Sequence, residues 1–162
     1  MEISGVHPQG TGGKSPRVPV KSPTLGGDWL RDLVLQCGAD DAGFVSIDRQ
    51  EMIDEKPHVL AAFPETRTLV SIVSRLNVDS VRSPARSIGN LEFHRNYHGI
   101  NEVAAKVVRE LTRTGIRAIN PSAGFPMEMD RFPGRIWVVS HKPVAVAAGL
   151  GPLRGRSGRP CE

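Results

Sequence analysis

"TLVSIVSRL", residues 68–76, is the stretch on which the fold turns. Leu69, Val70, Ile72 and Val73 follow one another almost without polar interruption, and three of these four are β-branched. That composition favours a strand covered on both faces over one that alternates between core and water. Such a strand needs layers above and below it. The chain is therefore expected to fold as an α/β (α+β) domain, a layered sheet with helices, with residues 68–76 as its central strand.

Working outward toward the N-terminus, "AGFVSI", residues 42–47, reads as a second short, buried strand. Before it, Asp28 follows Gly26-Gly27 as a candidate N-cap. Trp29, Leu30, Leu33, Val34 and Cys37 then share one helical face until Gly38 ends the helix, which makes Cys37 a core residue. Between the two strands, Asp48 and Glu51 have the D-x-x-E spacing of a helix start, and Pro57 is expected to interrupt that helix. On the C-terminal side, a polar stretch over 77–90 precedes a helix from about residue 97 to residue 114. Ile100, Val103, Ala104, Val107, Val108 and Leu111 fall on one stripe of it, Glu102 and Lys106 support the opposite face, and Gly115 caps the end. Residues 116–120 read as a strand and 121–133 as a loop. "RIWVVS", 135–140, reads as a strand or as a direct lead into the next helix.

Composition limits what this domain can be. The chain has 162 residues, 39% of them hydrophobic, enough for one core. Its formal charge of +4 sits in the flanks: residues 1–27 and 152–162 each carry +2, so 28–151 is balanced. A folded nucleic-acid-binding face is not expected from the core. Residues 1–27, rich in Gly, Pro and Ser, are expected to form a disordered leader, 28–151 the domain, and 152–162 an irregular tail. "HPQGTGGKS" within the leader resembles a phosphate-binding loop, but Pro8 stands where that loop needs its first glycine. Cys37 and Cys161 are the only cysteines: nothing suggests a disulfide framework, and their separation leaves no C-x-x-C site. No charged start with an apolar run marks a secretory signal, so a cytoplasmic location is expected.

The last apolar element runs into Gly149-Leu150-Gly151. The uncharged run between Lys142 and Arg154 is too short to cross a membrane, which takes ~20 residues. The glycines follow the helix instead of opening it, and Pro152 removes a donor, so a nucleotide loop fits poorly. Read from the residues alone, this is a helix stopped by a left-handed glycine cap at Gly149.

Four stretches, in order, carry a family likeness: "GADDAGFVSI" (38–47), "FPETRTLVSIV" (63–73), "HRNYHGINEVAAKVVREL" (94–111) and "KPVAVAAGLG" (142–151). The chain resembles the corrinoid- and iron–sulfur-dependent reductases typified by epoxyqueuosine reductase and, more distantly, reductive dehalogenases. The second stretch is similar to the family's L-P-G-A-R-S-V-V-V-L, the third to its R-x-x-D-Y-H helix start, the fourth to its R-P-L-A-x-x-A-G-L-G. The resemblance implies a nitroreductase-like domain that holds a cobalamin, reduced through two [4Fe–4S] clusters in a following domain. It places Tyr97 and His98, at the helix start, and Gly149, Leu150 and Gly151 at the cofactor, the glycines letting backbone approach a bulky planar group.

The chain departs from that pattern in three places. No run of cysteines for an iron–sulfur cluster is present. Arg135 stands where the family has a proton-donating aspartate, and Asp130 is the nearest carboxylate, so no catalytic residue is assigned. After Gly151 the chain reads "PLRGRSGRPCE", rich in residues with GC-rich codons and without apolar periodicity, as a shifted reading frame yields; a genuine short variant is the alternative. The expected function is thus a truncated corrinoid-dependent oxidoreductase-like domain, inactive alone. A non-catalytic interaction or remnant domain, and more weakly a flavin-binding nitroreductase-like protein, stand as alternatives. Core packing for Tyr97 and a polar helix-start role for His98 compete with cofactor contact. His94 is placed to join the same pocket, His58 is read as solvent-facing, Met127 and Met129 as gap fillers unless they line the pocket mouth, and Arg135 as a salt-bridge or phosphate-contacting residue.

Overall fold

The computed structural model describes residues 26–121 and 138–152. α1 (Gly27–Gln36) leads into β1 (Asp41–Ser46); a 3₁₀ turn (Gln50–Met52) and α2 (Lys56–Ala62) lead to β2 (Thr68–Val73). α3 (Val78–Arg82), the long α4 (Arg86–Arg113) and α5 (His141–Ala147) complete the described order. β1 and β2 pair antiparallel, from Asp41 opposite Val73 to Ser46 opposite Thr68.

Helices cover both faces of this sheet, as the apolar run of β2 requires. Because side chains alternate along a strand, Ala42, Phe44, Val70 and Ile72 meet Val34 of α1 and Val107 and Leu111 of α4 on one face. Val45, Ile47 and Leu69 meet Met52, Val59, Val139, Val144 and Ala147 on the other. The architecture is α+β. Residues 68–73 do form the covered strand, but among the described residues β2 has one strand neighbour and is not central.

Several expected boundaries move. α1 is capped at Gly26, with no side-chain cap, so Asp28 lies in the first turn, where its charge faces the positive helix end. Asp48 and Glu51 do not start an α-helix; a 3₁₀ turn forms there, and Pro57 sits in the first turn of α2. A proline is tolerated at that point because first-turn N–H groups have no helical acceptor. Residues 77–90, read as polar, contain α3, capped by the Asn77 side chain accepting from the Ser80 N–H at 3.0 Å, and the start of α4. α4 therefore begins at Arg86, and Tyr97 and His98 stand in its middle, not at its start.

The stripe on α4 is as expected in its C-terminal half, with Val107 and Leu111 buried and Lys106 exposed. Glu102 and Lys106 form no ion pair; Glu110 and Arg113 do, at 2.6 Å. Residues 116–120 run without a strand partner among the described residues, although Ile116 and Ala118 pack on the α4 face of the core. Of 135–140, only Val138, Val139 and Ser140 are described; Val139 is buried and the chain passes straight into α5. Residues 1–25, most of the 121–133 stretch and the tail from residue 153 lie outside the described residues.

Candidate functional site

The first group of expected site residues lies on α4. Its rotation over the end of β2 is fixed by Asn96, whose side-chain amide donates to the Ser74 hydroxyl at 2.8 Å and to the Arg75 carbonyl at 3.2 Å. The next two residues are Tyr97, half-buried, and His98, exposed; their rings meet edge to face with centroids 5.6 Å apart. Asn101 donates from its side chain to the Tyr97 carbonyl at 2.9 Å. One turn earlier, Phe93 is 64% exposed. His94 is also exposed, while His58, expected to face solvent, is half-buried.

The second group closes α5. Gly149 has φ +80° and its N–H donates to the Val146 carbonyl at 2.9 Å, while the Leu150 N–H donates to Ala145 at 3.0 Å. This pair of bonds is the glycine-dependent helix stop read from the residues, and it recurs at Gly38 and Gly115. Leu150 is thereby turned onto the sheet: a Cβ added to Gly43 of β1 would stand 2.8 Å from Leu150 Cγ and 2.9 Å from both Cβ and O of Ala148. Gly151 follows at φ +131°.

Three further residues hold α5 in place. The buried Glu55 accepts the Ser140 N–H at 3.1 Å, and Arg49 donates to the Ala147 carbonyl at 3.0 Å. Gly43 supplies the close approach. Sequence reasoning missed all three in this role. Gly43 was readable, since a lone glycine inside a strand marks a bulge or a close backbone contact; Arg49 and Glu55 gave no local signal. His141 stays surface-accessible at the first position of α5, yet the protein around its ring pushes its pKa below the ordinary histidine value.

The two groups occupy different sides of the sheet. α4 packs on the face with Ala42 and Ile72, and α5 on the face with Val45 and Leu69. Two open hollows among the described residues, of about 480 and 330 Å³, are lined by none of Tyr97, His98, Gly149, Leu150 or Gly151. Among the described residues, no heavy atom lies within 4 Å of a Cβ added to Gly149 or Gly151. Tyr97 and His98 do not line the same described surface as this turn. Met127, Met129, Asp130 and Arg135 lie outside the described residues.

No family model, curated protein or solved structure matches the chain. Among the described residues, no helix is long and apolar enough to cross a membrane.

Proposed function

We propose that this chain is a corrinoid-binding domain of the epoxyqueuosine reductase type, and that these 162 residues hold the cofactor without turning over substrate. The observation that carries the binding half is the turn after α5. The positive φ of Gly149 and of Gly151 already calls for glycine at both positions; beyond that, no described atom lies within 4 Å of a Cβ at Gly151, so its backbone has room beside it for a flat ligand. Redox chemistry would be the corrinoid's own when bound. The chain's part is to present backbone at Gly149 and Gly151, with Leu150 anchored on Gly43 so that the turn keeps its shape. The silent half rests on the sequence: two cysteines cannot ligate a four-cysteine cluster, and Arg135 cannot donate a proton near neutrality.

A strong chemical reductant supplies electrons in place of a cluster relay and so tests the two halves apart. Cobalamin should change its visible spectrum on addition of the protein, and an epoxyqueuosine-type substrate should remain unconverted with reductant present. Turnover above a cobalamin-only control would refute the silent half. A spectral response to flavin but not cobalamin would replace the corrinoid reading with a nitroreductase-like one. A second reading, a non-catalytic interaction domain, is favoured by the exposed apolar residues Val78, Val81, Ile88, Leu91 and Phe93 on α3 and α4.

A further inference from the structure

The larger hollow, of about 480 Å³, lies at the end of the sheet where β1 stops and β2 begins, with α2 beside it. The Ile47 N–H donates to the Arg67 carbonyl at 2.9 Å and so carries the strand register one pair past Ser46 and Thr68. Side chains alternate along a strand. Arg67 therefore stands on the face of Leu69, which is the face that Val59 and Leu60 of α2 cover. The turn that delivers it is fixed by Thr66, whose hydroxyl donates to the Phe63 carbonyl at 2.7 Å.

Ile47, Leu60 and Pro64 give the hollow an apolar side, and Asp48, Lys56 and Arg67 are its charged lining residues. Lys56 Nζ lies 2.6 Å from Asp48 Oδ1, so these two charges answer each other. Arg67 has no ion pair and no side-chain hydrogen bond among the described residues. Its guanidinium stays charged at any pH the fold survives, and its planar fork matches a carboxylate or a phosphate. One positive charge in the hollow is left without a counter-charge.

We propose that this hollow binds a small organic anion, a single carboxylate or phosphate on an apolar body, with Arg67 taking the anionic group and the Leu60 and Pro64 side receiving the body. A volume of about 480 Å³ falls within the ~300–1,000 Å³ of small-molecule sites, which combine apolar walls with a few polar groups in this way. None of the lining residues belongs to α4 or to the glycine turn, so this site is separate from the corrinoid reading.

The test is two-dimensional amide NMR of the full chain, titrated with phenylacetate, with phenyl phosphate and with the neutral 2-phenylethanol. At least one of the two anions should give saturable shifts at the amides of Ile47, Thr66, Arg67 and Thr68, and the tighter of the two identifies the preferred anionic group. The alcohol should bind roughly fivefold more weakly or not at all, and Arg67→Gln should weaken the anion by a similar factor. Asp48→Asn, which removes the carboxylate and frees Lys56, should tighten it. No saturable shift with either anion, or an unchanged affinity in folded Arg67→Gln, overturns the proposal. If that variant fails to fold, equal binding of the anions and the alcohol by the wild-type chain overturns it instead.

Discussion

Gly43→Ala is expected to destabilise the protein, although an alanine ordinarily does the reverse in extended backbone. Replacing glycine by alanine without strain gains ~0.4–1 kcal/mol by restricting the unfolded chain. Here the new methyl would lie 2.8 Å from Leu150 Cγ and 2.9 Å from Cβ and O of Ala148. Carbon atoms prefer ~3.5–4.0 Å. Leu150 can yield by rotating, but Ala148 is fixed, its N–H donating to Val144 at 2.9 Å. The end of α5 must therefore shift, and overpacking of this kind costs ~1–3 kcal/mol. The cost is bounded by what docking of α5 is worth, since the helix can lift off and expose Val144 and Ala147, and burying one valine is worth ~1.5–3 kcal/mol. Set against the entropic gain, a net loss of about 1–2 kcal/mol follows. Urea unfolding followed by circular dichroism should show a lower midpoint with an unchanged slope if α5 stays docked, and a smaller slope if it lifts. In a Leu150→Ala background the loss should shrink but not vanish, because two of the three close contacts belong to Ala148. An unchanged or raised midpoint for Gly43→Ala would refute the close approach of the turn to β1.

Other perturbations test neighbouring parts of the account. Val107→Ala should cost ~1–3 kcal/mol because Val107 is buried against the sheet, while the exposed Lys106→Ala should stay within ~0.5 kcal/mol; equal effects in urea unfolding would contradict the stripe. Glu55→Ala removes the acceptor of the Ser140 N–H and should cost ~1–3 kcal/mol, with Glu55→Gln recovering part of it, by the same assay. Burial, reinforced by the charge of Glu110, raises the Cys37 thiol above its ordinary pKa. In a Cys161→Ser background its alkylation should therefore be slower than that of a free thiol near neutrality and accelerate only at higher pH; a rate equal to the free thiol's would argue against the burial.

The elements that were legible in the sequence are those whose own residues determine them. Leu69 to Val73 specify a covered strand, and Gly38, Gly115 and Gly149 stop their helices, because local composition and backbone freedom decide both. The start of α4 was not legible. Ile88, Leu91 and Phe93 do not fall on one stripe, so no amphipathic period marks that half of the helix. Instead, α3 and Glu92, which accepts the Asn77 N–H at 2.7 Å, support it. Pro57 reads as a helix breaker in isolation and opens α2 in the fold, since its effect depends on the turn in which it sits. Of the expected site residues, the glycine turn could be read from its spacing. Its seat on Gly43, and the sheet that stands between α4 and α5, depend on contacts distant in sequence.

The most direct test of the corrinoid reading is a titration of the protein with cobalamin, followed in the visible spectrum and repeated with Gly151→Val. The account predicts a saturable spectral change that Gly151→Val weakens at least tenfold, measured without urea where the variant stays folded; its stability in urea should fall by ~1–3 kcal/mol, because Gly151 has φ +131°, a backbone conformation that strains a β-branched side chain. No spectral change at any cobalamin concentration, or a response that Gly151→Val leaves intact, would contradict it.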